Sequence, residues 1–339
     1  MSFTRRTAVA LGLLAAAVAP SWAQSADPKA EIAKAKPKDF PTQPIELTVV
    51  YPAGGGMDIN ARLVARFMEK WSGDRVIVNN RTGGAGLIGH SWLAMQAPKD
   101  GYSVGIIASL IFSDSMLRAN KRWSHTDMEP LTFLNNEGLN LVVNADGPYK
   151  DKSFKDILAA AKEKPGTVRF GTVPGSMYDY MIDQLESETG AKFLRVPFQG
   201  GAPGIAALLG NNIDVGIGFW GEVSSYLEAK KLKPVAVSSM DRSPFLPDAP
   251  TLGEVLGNKD VVWMATRWAA VPAGVPADRK AYLVAVLNAA AADPELQEEF
   301  KKLGAIPDPS IDTPEKLAER VNRLAELERE FYVKTGRLK

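Results

Sequence analysis

Three consecutive glycines, Gly54, Gly55 and Gly56, separate a strand-like run at 45–50 from a helix-like run at 59–71. That order limits the chain to folds in which strand ends open onto helix N-termini. Ile59, Leu63, Val64, Phe67 and Met68 recur at helical spacing. Glycine lacks a Cβ, so its amide can approach a ligand closely. The first amides of a helix have no internal partner and sit at the positive end of its dipole. A phosphate loop would need a lysine beside its last glycine, and Met57 stands there instead. Asp58 is expected at the helix N-cap, where its charge disfavours a polyphosphate. A carboxylate held by amides and water suits the loop. The same residues also make an ordinary tight turn capped by Asp58, and the loop alone leaves both open.

Further strand-like segments lie at 75–79, 102–107, 131–135, 139–143, 167–170, 193–196, 214–218 and 235–238. Helix-like segments lie at 87–96, 154–163, 178–189, 202–209 and beyond 277. Alternation of this kind predicts an α/β fold with mainly parallel sheets flanked by helices. Open α/β sheets take ligands at the carboxyl ends of strands. A second glycine loop, 172–176, sits at such an end. Two loops facing across a cleft would each offer amides to one end of a ligand, an arrangement that suits a dicarboxylate.

Residues 1–26 read as a cleavable secretory signal. Arg5 and Arg6 precede an apolar run at 8–19 that is too short to span a bilayer, and small residues follow at Ser21 and Ala23. General secretory export fits better than twin-arginine export, because Thr7 and Ala8 depart from the latter's pattern. The expected location is the periplasm. The chain has no cysteine, which excludes a lipid anchor, disulfides and thiol catalysis. The net charge is +1, and it becomes −1 without residues 1–26, which carry Arg5 and Arg6 and no acid. Nothing in that balance attracts nucleic acid or a membrane surface. A mature chain of roughly 310 residues exceeds one hydrophobic core, so two domains are expected. Residues 27–43 are rich in Lys, Pro and Ala and read as a disordered or surface-lying lead-in.

Six motifs in order resemble the Bug family, the extracytoplasmic solute receptors of tripartite tricarboxylate transporters. They are Tyr51-Pro-Ala-Gly-Gly-Gly-Met-Asp58 with Ala61-Arg62; Asn80-Arg-Thr-Gly-Gly-Ala-Gly-Leu-Ile-Gly89; and Ala97-Pro-Lys-Asp-Gly-Tyr102. Val196-Pro-Phe-Gln-Gly200, Leu246-Pro-Asp-Ala-Pro-Thr251 with Glu254, and Trp268 with Pro272-Ala-Gly274 and Pro276 complete them. The resemblance runs from Pro44 to the C-terminus. It implies a two-domain Venus flytrap that binds a small carboxylate between its domains and delivers it to the membrane components of such a transporter. The implied domains are 44–139 plus 266–339, and 140–265, with the two crossings as hinges. Contacts implied for the first domain are Tyr51, Ala53, Gly54, Gly55, Met57, Asp58, Ala108 and Ser109. Those for the second are Pro174, Gly175, Ser176, Phe198, Gly200, Phe219 and Trp220. Met57 stands where the family often has a hydroxyl, Phe198 and Gln199 replace a tyrosine and lysine, and Phe219 and Trp220 make a wall aromatic. These departures predict an aromatic or otherwise partly apolar acid rather than citrate. Arg267 either approaches the cleft or is a surface or hinge arginine.

Other classes fare less well. Gly84-Ala-Gly-Leu-Ile-Gly89 satisfies the dinucleotide fingerprint, but four residues separate it from the preceding strand and no acid follows at the required distance. An exported enzyme lacks support. His90 and His125 are the only histidines, neither has metal-ligand spacing, and Ser176 is not in a Gly-x-Ser-x-Gly turn. His90 is expected at solvent or a helix end. Asp179 and Asp183 read as a solvated helix face. The expected protein is a monomer with no metal or cofactor. Presentation of a ligand to a periplasmic signalling partner is the alternative to transport.

Overall fold

The computed structural model describes residues 27–259, 261–308 and 310–338. The expected signal segment, 1–26, lies outside the described residues. In chain order the main elements are α1 (Pro28–Ala35), β1 (Ile45–Val49), α2 (Gly56–Ser72), β2 (Val76–Asn80), α3 (Leu87–Met95), β3 (Ser103–Ala108), the short turn α4 (Ile111–Ser113), β4 (Met128–Gly138) and β5 (Asn140–Asn144). They continue with α5 (Phe154–Glu163), β6 (Arg169–Thr172), α6 (Met177–Thr189), β7 (Leu194–Pro197), α7 (Gly201–Leu209), β8 (Gly216–Gly218), α8 (Trp220–Glu228), β9 (Leu232–Val237) and α9 (Leu252–Leu256). The last are β10 (Met264–Pro272), α10 (Ala277–Ala291), α11 (Pro294–Lys302), β11 (Ala305–Ile306) and α12 (Pro314–Lys334).

Ile45, Leu47 and Val49 are fully buried on β1, which pairs in parallel with β2 and β3. These strands form one half of a six-stranded sheet, ordered β11-β4-β10-β3-β1-β2, whose other half is antiparallel. Helix α2 covers it with Ala61, Val64, Phe67 and Met68, and ends where Gly73 adopts φ 73° and donates its amide to Glu69 O. The second lobe has β5 between β8 and β9, all antiparallel, and a parallel pair β6-β7. A bridge from Phe170 to Val215 joins the two pieces. The architecture is a two-lobed α/β one.

Strand β10 and helix α8 have no counterpart in the sequence-based assignment. Every β10 residue from Ala265 to Pro272 is buried. A strand covered on both faces has no alternation to reveal it. Helix α8 begins at Trp220, and its signal is Glu222 at the third helical position, whose carboxylate caps the Phe219 amide at 2.9 Å.

The chain passes between the lobes at Leu139 and again before β10. Ser238, fully buried, ties the two passages together. Its hydroxyl accepts from the Leu139 amide (2.7 Å), and its carbonyl accepts from the Trp263 amide (2.9 Å). Helix α12 makes a third link. Tyr332 packs on Tyr180 of α6, with ring centroids 4.6 Å apart, and Arg337 pairs with Asp183. Asp183 also pairs with Arg195 (2.7 Å), so it lies in a cross-lobe ion cluster and not on a solvated face.

The lead-in is likewise corrected. Asp27 caps α1, and Ile32 and Phe40 are buried; Phe40 is 1% exposed and packs against Tyr102 at a tilt and Tyr282 edge-on. One buried residue in a short polar helix, Ile32, and one beyond it, Phe40, suffice to dock the segment, and composition hides that. Phe40→Ala is therefore expected to cost about 3–5 kcal/mol in urea unfolding; a loss below about 0.5 kcal/mol would fit a surface-lying segment.

Candidate functional site

The loop after β1 and the loop after β6 face each other across an interlobe cleft. Its pocket holds about 510 Å³ of atom-free space including the mouth, and its walls are mostly apolar. Tyr51, Pro52, Gly55, Gly56, Met57 and Leu110 line it from the first lobe. Val173, Ser176, Tyr178, Gly200, Gly201, Ala202, Pro203, Phe219 and Glu222 line it from the second.

Both glycine loops close in the same way. Helix α2 starts earlier than the sequence suggests, with Gly55 as N-cap, so Asp58 lies inside its first turn. There Asp58 Oδ2 accepts from the Gly54 amide (2.9 Å) and from Arg62 Nε (2.9 Å), and Oδ1 accepts from Asn80 Nδ2 (3.0 Å). Burial pulls the Asp58 carboxyl up, but the bonds from Arg62, Gly54 and Asn80 outweigh it and hold the group below its usual range. In the second loop Asp179, four residues beyond Gly175, accepts from that amide at 3.0 Å. The Gly55 and Ser176 amides bond to Pro52 O and Val173 O. The expectation that loop amides stand free for a ligand is thus corrected for Gly54, Gly55, Gly175 and Ser176.

Two hydroxyls are free instead. Tyr51 and Tyr178, one from each lobe, line the pocket, and neither hydroxyl makes a hydrogen bond among the described residues. Burial, with acidic neighbours, pushes both phenols far above their ordinary value, so they remain proton donors. Tyr51 is backed by His90, edge-on at 6.5 Å. His90 is not at solvent: it is 1% exposed, and its Nδ1 lies 2.7 Å from Asp114 Oδ2. Asp114 in turn accepts from Arg118 Nη1 (2.7 Å).

Behind the pocket wall lies Arg267, fully buried in β10, which settles the open choice between cleft and surface. Its Nη1 is 2.5 Å from Glu137 Oε2 and 3.1 Å from Asn135 Oδ1. Its Nε meets Met57 Sδ at 3.2 Å, and the guanidinium lies 4.5 Å from the Phe219 ring centroid. Asn135 donates to Asn60, and Asn60 donates to Gly56 O, both at 2.8 Å. A buried polar chain therefore runs from the ion pair to the start of α2. Glu137 Oε1 also accepts from the Trp220 amide (3.1 Å), joining the lobes. Close approach needs glycine: a Cβ on Gly56 would sit 2.9 Å from Phe219 Cδ2, and one on Gly201 only 2.4 Å from Glu222 Oε2.

Of the residues named from sequence, Tyr51, Gly55, Met57, Ser176, Gly200 and Phe219 come together in the pocket. Phe198 lines an adjoining recess with Tyr178 and Gly200. Ala53, Gly54 and Pro174 are exposed, Gly175 packs near Arg118, and Asp58 is a loop clamp. Ala108 pairs with Arg267 in the sheet, and Ser109 bonds to Thr266 O, while Leu110 reaches the pocket. Trp220 turns to a separate groove, stacked on Phe245 at 4.7 Å. Tyr178 and Glu222 escaped sequence reasoning. An aromatic at a predicted helix start and an acid four residues past a strand end were the available signals.

A family model described as the tripartite tricarboxylate transporter family receptor matches residues 60–327. BugT of Bordetella pertussis is 30% identical over 87% of this chain and 91% of its own. A protein from the tcbD-tcbE intergenic region of a Pseudomonas species is 31% identical over 78% of this chain and 79% of its own. The structure of the periplasmic binding protein BugD is similar at TM-score 0.81 and 28% identity, covering 88% of this chain and all of that one (100%). An R. palustris protein solved with adipate shares the fold at TM-score 0.79 and 24% identity, over 88% of this chain and 99% of that one.

Removing Arg267 would leave Glu137 buried without its counter-charge. Burial already lifts the Glu137 carboxyl to about 7 against the pull of Arg267. Without Arg267 it rises further, so the folded form keeps a proton that the unfolded chain releases near pH ~4.3. Such a raised acid costs stability increasingly as pH climbs above that value. Arg267→Met is expected to lose about 3–5 kcal/mol at pH 8 and clearly less at pH 5, read by urea unfolding at both.

Proposed function

The chain belongs to the tripartite tricarboxylate transporter receptor family, and we propose that it captures a small, partly apolar carboxylate in the interlobe cleft and delivers it to the membrane components of such a transporter. The observation that carries this reading is the pair of uncommitted hydroxyls, Tyr51 and Tyr178, set in an otherwise apolar pocket between the lobes. Hydrogen bonds to a charged group contribute about 1.5–3 kcal/mol each. Two of them, with burial of an apolar body at about 25 cal/mol per Å², reach the range of micromolar binding, about 8 kcal/mol. Met57, Leu110, Val173 and Phe219 supply the apolar walls. A ligand that touches both lobes stabilises their closed arrangement by differential binding.

The lobes correspond in this proposal to 44–139 plus 266–339 and 140–265, with the passages tied by Ser238 as hinges. The link through α12 adds a third element that must bend or slide when the cleft opens. Capture takes place in the periplasm, by a monomer, and without catalysis. Among the described residues no helix is long and apolar enough to cross a membrane.

Isothermal titration of the mature protein with mono-, di- and tricarboxylates, aliphatic and aromatic, tests the proposal. A partly apolar acid is expected to bind saturably near micromolar Kd. Tyr51→Phe and Tyr178→Phe should each weaken it roughly tenfold, in line with loss of a charge-assisted bond. Tight citrate binding with no response to any apolar acid would overturn it.

A further inference from the structure

Glu222 is a carboxylate in the wall of a pocket proposed to hold a carboxylate. Its Oε2 accepts from the Phe219 amide (2.9 Å) and its Oε1 from the Gly56 amide (3.4 Å). The Ala202 amide faces it as well. It therefore sits against the N-termini of α8, α2 and α7 together, the strongest anion seat in the cleft, and fills that seat with the chain's own charge. The absent side chain of Gly201 is what makes room for it.

The charges near the pocket do not cancel. Arg267 is committed to Glu137 at 2.5 Å, and Glu222 has no ion-pair partner among the described residues. With both carboxylates ionised, the cluster of Glu137, Arg267 and Glu222 carries one net negative charge; burial raises both acids, and the amides together with the shared Arg267 pull against it. A ligand that brought a carboxylate and nothing else would place a second uncompensated negative charge in a low-dielectric cleft. A ligand that brings an N–H donor or ammonium group as well removes the conflict. The donor meets Glu222, which keeps lone pairs facing the pocket, while the oxygen end meets the hydroxyls of Tyr51 and Tyr178.

We propose that Glu222 is the specificity-determining residue of the cleft, selecting small apolar-bodied acids that also carry an N–H or ammonium group. The proposal rests on the capture function above and names the class of solute within it. It also accounts for the apolar walls. Glu222 supplies an acceptor and the two phenols supply donors, and the rest of the lining is mostly apolar, so the remaining body of the solute needs no polar contact.

Matched pairs of solutes test it: 3-phenylpropanoate against phenylalanine, butanoate against 4-aminobutanoate, and benzoate against 3-aminobenzoate, by titration calorimetry. In the wild type the nitrogen-bearing member of at least one pair is expected to bind tenfold or more tighter. Glu222→Gln keeps the shape and an acceptor for the Phe219 amide but removes the charge. It should erase that preference and raise affinity for the nitrogen-free acid. If nitrogen-free acids bind the wild type as well as their partners, or the ranking survives in Glu222→Gln, the role of Glu222 is overturned while carboxylate capture stands. A wild type that binds no member of the three pairs, nor any acid of the wider panel, overturns both. The wild-type ranking decides the matter even if the variant fails to fold.

Discussion

A buried arginine paired with a buried glutamate organises the centre of this molecule. Moving two charges out of water costs several kcal/mol each, and a single contact does not offset that. Arg267 and Glu137 are 0% and 1% exposed, so their surroundings must supply the rest. Asn135, the Met57 sulfur, the Phe219 ring and the Trp220 amide supply part of it, while Arg267 Nη2 has no hydrogen-bond partner among the described residues. The partners come from three separate parts of the chain, β4, the start of α2 and the start of α8. The pair therefore fixes β10 against β4, sets the floor of the first glycine loop through Asn135 and Asn60, and holds the start of α8 against the first lobe. Satisfying one expensive charge pair and building the pocket wall are the same physical task.

The glycine loops acquire a different meaning in this frame. An acid four residues downstream closes each of them, Asp58 for Gly54 and Asp179 for Gly175. The loops are rigid supports rather than open cradles. Their glycines matter most where another chain segment comes close, as Phe219 does at Gly56. Two phenols and one carboxylate are among the groups that line the pocket, and recognition by side chains is more easily retuned among relatives than recognition by backbone. That is consistent with a fold that keeps its architecture at about 30% identity.

The links between lobes span a range of strengths. The Ser238 tie is buried and short and joins only the two passages. The α12 link combines the Tyr332–Tyr180 contact with the partly exposed Arg337–Asp183 pair, and a partly exposed ion pair contributes little. Opening therefore meets its main resistance at the aromatic contacts and at the buried cluster behind the pocket.

Much of the fold was legible in the sequence because local signals agreed. Ser153 with Asp156 marks the start of α5 exactly where the capping pattern puts it, and the apolar stripe of α2 matches its buried face. The motif order from Tyr51 to Pro276 pointed to the family. Elements without a local signature were not legible. Strand β10 is buried on both faces, α1 docks through the single buried residue Ile32, and His90 sits on the buried face of the mostly apolar α3. Within the site, Tyr51, Met57, Ser176 and Phe219 could be named from motifs, but Tyr178 and Glu222 could not, since nothing near them in sequence says which way they point. Sequence by itself determined the elements, their alternation and the family, because caps, glycines and periodicity act over a few residues. Only the tertiary structure decided that Arg267 spends its charge on Glu137 and that Glu222 faces the cleft. Those outcomes depend on contacts between residues 80 to 210 positions apart, where desolvation and charge balance, not local preference, set the answer.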